Sequence, residues 1–533
     1  MKTSKKRLLA LTLAVFLLLT LLCACKTDTS NRVIYCGLES DPVNLDPQLA
    51  QGESALTIVG NVFEGLLRTT PGGEIVNGVA EEWKVSKSGQ KYTFTLKPDL
   101  FWSNRTPLTA EDFVFALQRA VDPQTRAPDA YLLSGIKNAS KIMNGELASE
   151  KLSVKAPDPS TVVIELKEPD SNFLFTLTRA VCMPCNQKIF EKAKGKYGLS
   201  DETVMSNGPF KVSSWVRDDV VRIEQNAEYH DYEQVVPHEV VFTFSGQGER
   251  IIPQITGGLL DISAIDGSQV AEIEQENNKN LRTVSLDDTI VALCFNVKSE
   301  PFGNTSARRS LALSINRDQI NATLPDYLAG ANALIPRCYM LDGECYRDEV
   351  DGDLVYPFDV ERAKVDFSVS LSDLGIQKYP ATKLIYPESA VYEGIVRQMI
   401  EGWQMNLGVF VNPEPLPQTQ LEAALIDGDF DIALVELTSK TTAPLSLLME
   451  FNSKGANIAN YKSSSFDKLL KKIKAADDGS ADDILAAEKH LIDNAVAVPL
   501  LFRPSNYVVS KVIWDVDIRP VSPRMDFRLT RKE

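Results

Sequence analysis

The sequence is poor in the residues that most often build metal and catalytic centres. Its 533 residues include three histidines and eight cysteines, which argues against a histidine-rich metal site. His238-Glu239 begins like a zinc-protease helix, but Phe242 stands where the second histidine is needed. Neither a G-x-S-x-G nucleophile turn nor a P-loop lysine motif occurs. These absences predict a protein that is not an enzyme and that uses no metal or cofactor.

Positive charge is scarce relative to negative charge. The sequence has 56 lysines and arginines against 72 aspartates and glutamates, a formal net charge of −16. Affinity for nucleic-acid backbones comes mainly from lysine and arginine, so nucleic acid is not expected as a partner. The length of 533 residues exceeds what one hydrophobic core supports, and it predicts about two to four domains.

Long hydrophobic runs are absent except at the start of the chain. Residues 8–22 form a mostly apolar run of 15 residues, preceded by residues 1–7 with four basic side chains and no acidic one. This pattern is typical of a secretory signal segment. The run is shorter than the ~20 residues that span a bilayer, so we expect the rest of the chain to be exported rather than membrane-spanning.

The signal segment ends in a bacterial lipobox pattern. Leu22-Cys23-Ala24-Cys25 places a small residue directly before Cys25, the expected lipid attachment site, whereas Leu22 precedes Cys23. We predict a lipoprotein signal peptide over residues 1–24 and a lipid-anchored tether over 25–32. The acyl chains would hold the protein on the extracytoplasmic face of the cell membrane. The alternative is an ordinary cleaved signal with an incidental cysteine.

Hydrophobic periodicity indicates strands and helices throughout the chain. Alternation of period two predicts half-buried strands, and continuous apolar stretches predict strands buried on both faces. Thr109, followed three residues later by Asp112, reads as a helix N-cap, and an apolar stripe before Gly408 reads as a longer helix. The class is mixed α/β. The predicted strands are 92–96, 161–166, 220–224, 289–297 and 430–437, and the predicted helices include 307–320, 392–403 and 466–473.

A series of short motifs, in order from about residue 33 to the C-terminus, resembles one known family. They include DPVNLDP at 41–47, NVFEGLL at 61–67, FWSNRTPLTAEDF at 101–113, SNGPFKV at 206–212 and AVP at 497–499. Together they resemble the peptide-binding class of ABC-importer receptors, particularly the oligopeptide-binding lipoproteins. The family usually has Asp-Gly in the turn where this chain has Asn104-Arg105, a departure that affects a turn and little else.

The resemblance implies a two-lobed α/β fold, the type II periplasmic-binding-protein fold, with an additional domain inserted in the first lobe. By the family pattern, lobe one comprises about 31–53, 202–292 and 505–533. The inserted domain would be 54–201 and lobe two 293–504. Each lobe is then built from segments that are distant in sequence.

The resemblance also implies that a peptide is bound in extended form between two hinged lobes. Hydrogen bonds to receptor strands satisfy the N–H and C=O groups of the ligand without reading its side chains. The expected strand partners are residues 41–43 in lobe one and 433–437 in lobe two. The candidate ligand-binding residues are Asp41, Pro42, Val43, Tyr131, Ala433, Val435, Glu436, Leu437, Lys440, Phe502 and Arg503.

One departure from the family concerns the end of the ligand. Oligopeptide receptors carry Gly-Trp-x-x-Asp-Tyr-x-x-Pro after the second strand, and its aspartate pairs with the α-ammonium of the ligand. Residues 436–444 here read ELTSKTTAP, which puts Lys440 in place of the aspartate and Leu437 in place of the tryptophan. A lysine there would repel an ammonium group.

Three hypotheses follow from Lys440. Glu436 or Asp41 takes over the ammonium, or the ligand is blocked or anionic at that end, or Lys440 points to solvent, as long charged side chains usually do. If Arg503 lies beside Lys440, the two would form a basic pocket that favours a ligand with a carboxylate.

Two cysteine pairs have spacings that allow a disulfide. Cys182 and Cys185 have the C-x-x-C spacing of a redox dithiol, but without a thioredoxin-like context a structural disulfide or two buried thiols are the expected alternatives. Cys338 and Cys345 flank a turn and could pair.

The expected partners are a small-molecule ligand, by resemblance a peptide, the permease and ATPase subunits of an ABC importer, and the membrane through the lipid anchor. We expect a monomer. Two alternatives remain open: the same fold could bind an oligosaccharide, an opine or a metal chelate, or the protein could sense peptides without importing them.

Overall fold

The computed structural model describes residues 32–170, 172–244, 251–341, 343–350, 352–439, 441–453, 457–475 and 480–533. The predicted signal peptide, Cys25 and Lys440 lie outside these residues. Helices and strands alternate along the chain, as the mixed α/β class predicts. None of the helices in these ranges is both long enough and apolar enough to cross a membrane.

The first half of the chain contains ten strands and five helices within the described residues, together with short 3-10 turns such as Ala130–Gly135. In order they are β1 (Val33–Leu38), α1 (Glu53–Val62), β2 (Leu67–Thr69), β3 (Ile75–Asn77), β4 (Ala80–Val85), β5 (Lys91–Leu96), α2 (Ala110–Val121), α3 (Ala139–Met143), β6 (Val154–Asp158), β7 (Thr161–Glu165), α4 (Phe173–Thr176), α5 (Gln187–Ala193), β8 (Phe210–Val216), β9 (Val220–Gln225) and β10 (Glu239–Phe244).

The second half is richer in helix. Its elements are α6 (Ile251–Thr256), β11 (Ile262–Ile265), α7 (Gly267–Glu276), β12 (Leu281–Phe295), α8 (Thr305–Leu313), α9 (Arg317–Asn321), β13 (Ala329–Gly330), β14 (Met340–Leu341), β15 (Glu344–Cys345), α10 (Tyr346–Glu349), α11 (Val360–Leu374), β16 (Thr382–Pro387), α12 (Ala390–Leu407), β17 (Val411–Leu416), α13 (Gln418–Asp427), β18 (Ile432–Leu437), α14 (Pro444–Leu448), α15 (Ser464–Ala475), α16 (Ala481–Asp493), β19 (Ala497–Ser510), β20 (Ile513–Trp514), β21 (Asp517–Ile518), β22 (Met525–Asp526) and β23 (Arg531–Lys532).

Local signals in the sequence set several of these boundaries. Thr109 and Asp112 form the reciprocal capping box that begins α2, and Gly408, with φ of 68°, ends α12 in the left-handed conformation. The single helix predicted over 307–320 is wrong, because the structure breaks it between α8 and α9. The Asn316 side chain accepts from the N–H of Gln319 and begins the second helix.

One large sheet runs through the molecule in the order β17-β16-β18-β12-β19-β11-β1-β10-β9-β8. The strands β17, β16 and β18 lie on one side and β11, β1, β10, β9 and β8 on the other. The long strands β12 and β19 pair with each other along both parts. A separate four-stranded sheet, β4-β5-β7-β6, comes from the early part of the chain.

The buried apolar side chains form distinct cores on the two sides. One cluster draws its side chains from 34–262 and 507–527, including the four-stranded sheet, and two others draw theirs from 290–501. Ile290 and Val291, which are neighbours on β12, belong to different clusters because successive side chains of a strand point to opposite faces. The second side is therefore a sheet with a core on each face.

A buried ion pair joins the start of the chain to α2. Arg119 is 7% exposed and Asp46 is 1% exposed, and the Arg119 Nη1 donates to Asp46 Oδ2 at 2.7 Å. The guanidinium also lies over the ring of Phe190, 4.5 Å from its centroid. Gln48 extends the cluster by donating to the carbonyl of Met183 at 2.9 Å.

The possible disulfides are not formed, since the four cysteines are free thiols. Cys182 packs in the large first cluster and donates to the carbonyl of Thr176, whereas Cys185 belongs to a separate small cluster. Burial raises the pKa of each of these two thiols to about 12, which disfavours the reactive thiolate. In the β14–β15 hairpin, Cys345 lies opposite Met340 in the strand register, and not opposite Cys338.

Removing the acid of the buried pair should destabilise the protein strongly. Asp46→Ala leaves the Arg119 charge buried and unpaired, so we expect the free energy of unfolding to fall by about 3–5 kcal/mol. Glu82→Ala is the control, because Glu82 pairs with Lys84 at the surface with half of its side chain exposed, and its loss should be within about 1 kcal/mol. Urea unfolding of both variants measures the difference; equal losses would contradict the structural role of Asp46.

Candidate functional site

The strands β12 and β19 connect the two lobes, and their pairing is interrupted where they pass from one to the other. Leu286 pairs with Ser505 and Thr289 with Arg503, so two residues of β12 lie opposite the single residue Pro504. This is a β-bulge, which bends a strand pair locally and removes ladder hydrogen bonds.

Asp288, at the bulge, is 2% exposed and fully bonded. It accepts from the N–H and the hydroxyl of Ser505, at 3.1 and 2.8 Å, and forms an ion pair with Arg524. Burial opposes the charge of Arg524, but Asp288 and Glu53 hold its pKa above the usual range. The bulge is thereby linked to α1 through Arg524, because Glu53 is the first residue of that helix.

The strand β18 has an edge that is only partly paired. It pairs with β12 along its whole length, but β16 pairs with it only at Ile432 and Ala433. Among the described residues, no strand covers the β16-side edge of 434–437. Unpaired strand edges bind extended peptides by adding a strand, so this edge is suited to such a ligand.

The side chains of β18 are less available than its backbone. Ala433, Val435 and Leu437 are 0%, 2% and 3% exposed and pack in the second lobe's core. Of the predicted ligand contacts on this strand, Val435 and Leu437 therefore have only backbone groups to offer, and Leu437 is no substitute for a pocket-lining tryptophan. Ala433 lies outside the unpaired edge, because it pairs with Ile385 of β16. Glu436 points to the opposite face and is partly exposed.

Glu436 is at the centre of a polar cluster on that face. It accepts from Arg503 Nη2 at 2.7 Å and from the hydroxyl of Tyr392. Arg503 is thus neutralised by an acid on β18, which weakens the expectation of a basic pocket around it. Phe502, the preceding residue of β19, points the other way and packs against the second lobe's core.

Tyr392 was not expected at the site, because its place in the helical stripe of α12 indicates a core residue. Its ring is indeed buried. The hydroxyl, however, reaches β18, and burial together with Glu436 raises the pKa of Tyr392. A tyrosine in an apolar stripe carries a hydroxyl that needs a hydrogen-bond partner. This is the sequence signal that could have indicated the contact of Tyr392 with β18.

The expected first-lobe contacts, Asp41, Pro42 and Val43, lie in the loop after β1. The carboxylate of Asp41 accepts from the Trp215 indole N–H at 2.9 Å, and Arg217 lies 3.4 Å from it while also donating to the carbonyl of Pro42. Val43 is 82% exposed. The loop is held from β8 and presents one apolar side chain to solvent.

Tyr131 lies in the 3-10 turn after α2 and is 47% exposed. Partial desolvation and the nearby charges of Asp129 and Glu450 raise the pKa of its hydroxyl. Glu450 belongs to the second lobe, so Tyr131 lies where the first part of the chain faces that lobe.

Direct contacts join residues of the 54–201 segment to the second lobe. Lys474 on α15 forms an ion pair with Asp170 at 3.1 Å, and Lys471 lies 3.7 Å from Glu168. At the tip of the β2–β3 hairpin, Gly73 lies so close to the loop after β18 that a Cβ atom there would be 3.0 Å from the hydroxyl of Thr442. The structure therefore has the 54–201 segment in contact with the second lobe.

The segment Cys338 to Met340 connects the bulge with the loop after β18. The Cys338 N–H donates to the carbonyl of Asp287 at 3.2 Å, and the Met340 N–H donates to the carbonyl of Thr442 at 2.8 Å. Between them, the Tyr339 hydroxyl accepts from the N–H of Ser439 at 2.9 Å. Groups of three or more metal-binding side chains are not found in the parts of the chain that the structure describes.

Comparison with known proteins agrees with this architecture. Residues 74–458 match the family model described as the middle part of the bacterial extracellular solute-binding proteins, family 5. The oligopeptide-binding protein OppA of Bacillus subtilis is 27% identical over 520 residues, which cover 94% of this chain and 93% of that protein. A probable deoxycholate-binding periplasmic protein of Escherichia coli, YgiS, is 27% identical over 478 residues, 87% of each chain.

The fold is also that of solved structures. The crystal structure of an oligopeptide ABC transporter substrate-binding domain from Bacillus anthracis has a TM-score of 0.75 and 25% identity, covering 94% of this chain and 99% of that one. The two-lobed type II fold expected from the sequence is confirmed. The family match extends over more than half of the residues, and the chain belongs to the bacterial extracellular solute-binding proteins of family 5.

Proposed function

We propose that this protein captures peptides in extended form between its two lobes and delivers them to the permease and ATPase subunits of an ABC importer. The observation that supports this most directly is the unpaired edge of β18 at residues 434–437. A peptide strand added there would satisfy its own N–H and C=O groups regardless of its sequence. The oligopeptide-binding relatives, which align over nearly the whole chain, support the same ligand class.

The lobes would close on the ligand by bending at the bulge between Leu286 and Thr289. We propose lobe one as 31–53, 202–292 and 505–533, the inserted domain as 54–201, and lobe two as 293–504. The Cys338 to Met340 segment would couple ligand binding to bending at the bulge, since it contacts both the bulge and the loop beside the ligand edge. The role is binding and delivery without catalysis.

The two acids proposed to hold the ligand's ammonium group are both engaged. Glu436 is bound by Arg503 and Tyr392, and Asp41 by Trp215 and Arg217. An ammonium group would have to compete with an arginine at either acid. This favours the hypothesis that the ligand is blocked or anionic at the end near residue 440.

We further propose that the mature protein is a monomer anchored by lipid on Cys25, with residues 25–32 as the tether. The sequence pattern before Cys25 supports this, and two or more acyl chains are sufficient for stable membrane attachment.

A second candidate ligand is an amphipathic acid. The probable deoxycholate-binding relative matches this chain with the same identity as the oligopeptide-binding one. Such a ligand would use the cleft without forming strand hydrogen bonds.

Small molecules that co-purify with the protein distinguish these ligands. We expect mass spectrometry of the denatured, purified protein to release peptides of mixed sequence, because backbone pairing is tolerant of side chains. The refolded, ligand-free protein is the control for carry-over. Release of bile acids or sugars alone, with no peptide, would show that the peptide proposal is wrong.

Substitution of Gly73 should hinder closure. In Gly73→Ala, the positive φ of 83° makes a side chain unfavourable, and the new Cβ also meets Thr442 across the cleft. Gly145→Ala is the matched control, since its φ is 76° but nothing lies within 4 Å of its Cβ position. The backbone penalty of about 1–2 kcal/mol is common to both.

We therefore expect similar melting temperatures for the two variants but a larger radius of gyration and weaker peptide binding for Gly73→Ala alone. Small-angle scattering with and without peptide measures the radius of gyration, and calorimetric titration measures the affinity for peptide. Equal scattering and equal affinity in both variants would exclude the Gly73 contact as part of closure.

The lipid anchor can be tested by replacing Cys25. In Cys25→Ser, the protein should move from the membrane fraction to the soluble fraction, and its mass should lack acyl chains. The same change at Cys23 is the control and should leave the protein membrane-bound. Membrane attachment that persists in Cys25→Ser would contradict the assignment.

A further inference from the structure

Arg179 is a buried cation without an acidic partner. It is 4% exposed, and within the described ranges no carboxylate oxygen lies within ion-pair distance of its guanidinium. Its Nη1 donates to the carbonyl of Ser522, while its Nε is buried and has no hydrogen-bond partner. Burial without a close counter-ion lowers the pKa of Arg179, although Asp129 and Glu53 offset this from a distance.

Several other buried arginines of this protein have a partner for their charge. Arg119, Arg347, Arg524 and Arg528 each form an ion pair with a carboxylate. Arg308 has no acid but donates to three backbone carbonyl groups and a threonine hydroxyl. Arg317 resembles Arg179 in that two of its buried nitrogens have no hydrogen-bond partner. Burying a charge is costly unless it is paired, and Arg179 also lines a cavity in which a partner from outside the chain could lie.

A cavity lies beside Arg179, between the first lobe and the loop after β18. Its volume is about 50 Å³, and its lining includes Arg179, Thr178, Thr441 and Thr442. That is the space of a few water molecules, which is also enough for one carboxylate group. The Thr178 hydroxyl donates to the carbonyl of Phe175, so the further hydrogen-bond donors of the cavity are the hydroxyls of Thr441 and Thr442.

The acids that line this cavity are already occupied. Glu64 accepts from Tyr229 at 2.8 Å and from His230 at 2.6 Å, and Asp526 pairs with Arg528 at 2.9 Å. Neither carboxylate is available to Arg179. The cavity therefore has a cation to offer and no free anion among the described residues.

We infer that Arg179 binds a carboxylate of the ligand in this cavity, either the terminal carboxylate of a peptide or an acidic side chain. The inference rests on the proposed function, because the cavity adjoins the loop that follows the ligand edge of β18. In the sequence, Lys440 immediately precedes Thr441. A ligand anion at this end explains why the acid typical of the family is replaced by a lysine.

A pool of synthetic tripeptides to pentapeptides tests this, each made with a free or acetylated amino end and with a free or amidated carboxyl end. The purified full-length mature protein selects from the pool, and mass spectrometry identifies what it retains. For the unsubstituted protein we expect free-carboxylate peptides to be retained about tenfold or more over their amides, as is typical of a buried hydrogen bond to a charged group. If amidated peptides are retained only when they contain Asp or Glu, the side chain is the source of the carboxylate.

Arg179→Gln should abolish this preference while peptides are still retained, and Arg179→Lys should keep part of it. Arg222→Gln is the control, because Arg222 pairs with Glu239 on the surface of β9, and it should leave the preference unchanged. The inference is overturned if the unsubstituted protein retains peptides that carry no carboxylate at all as well as those that carry one, or if Arg179→Gln keeps the preference.

A second probe separates this inference from the proposed function. Sodium acetate, compared with sodium chloride at equal ionic strength, should raise the melting temperature of the unsubstituted protein more than that of Arg179→Gln. If no peptide of any form is retained but acetate acts through Arg179, the peptide proposal fails and the carboxylate site stands. If acetate has the same effect on the unsubstituted protein and on Arg179→Gln, and no peptide is retained, the peptide proposal and the carboxylate site are both wrong.

Discussion

The pairing of β12 with β19 is the constraint on which the rest of this structure depends. These two strands belong to both halves of the sheet, so the halves are continuous in hydrogen bonding yet separate in their cores. The pairing is interrupted between Leu286 and Thr289, by a bulge that places two residues opposite Pro504, and its register shifts again between Val291 and Ala292. In the proposed function, bending at the bulge between Leu286 and Thr289 would move one lobe without disturbing either core, because packed cores resist deformation more than a strand pair with missing hydrogen bonds does.

Buried charge holds the parts of the first lobe together. Asp288 at the bulge, Arg524 near the C-terminus and Glu53 at the start of α1 form one chain of ion pairs. A similar arrangement joins Asp46 to Arg119 on α2. Such pairs contribute little to net stability compared with apolar packing, but leaving one partner alone is strongly unfavourable. They therefore fix which segments meet, and this matters in a lobe assembled from segments distant in sequence.

The same rule distinguishes the ligand cleft from the rest of the molecule. Acids near the β18 edge and in the first-lobe loop are neutralised by Arg503 and Arg217, whereas Arg179 lacks a carboxylate partner within the described residues. The balance of charge at this end of the cleft is opposite to what an ammonium-binding receptor needs. If the ligand supplies a carboxylate to Arg179, as we infer, it offsets the cost of burying that charge.

The sequence by itself determined the class, the family resemblance and many local elements. Period-two alternation located β5, β7 and β9, and cap residues such as Thr109 and Gly408 fixed helix ends, because these signals act between neighbours in the chain. It also identified 430–437 as a buried strand, and β18 occupies most of that range.

Only the tertiary structure decided which residues meet at the site. Tyr392, Glu436 and Arg503 lie on three different elements, and no periodicity links them. Cys182 and Cys185 are close in sequence but pack in different clusters. Whether Arg179 has a counter-ion depends on every segment packed around it, since pairing and burial are properties of the assembled fold and not of any local pattern.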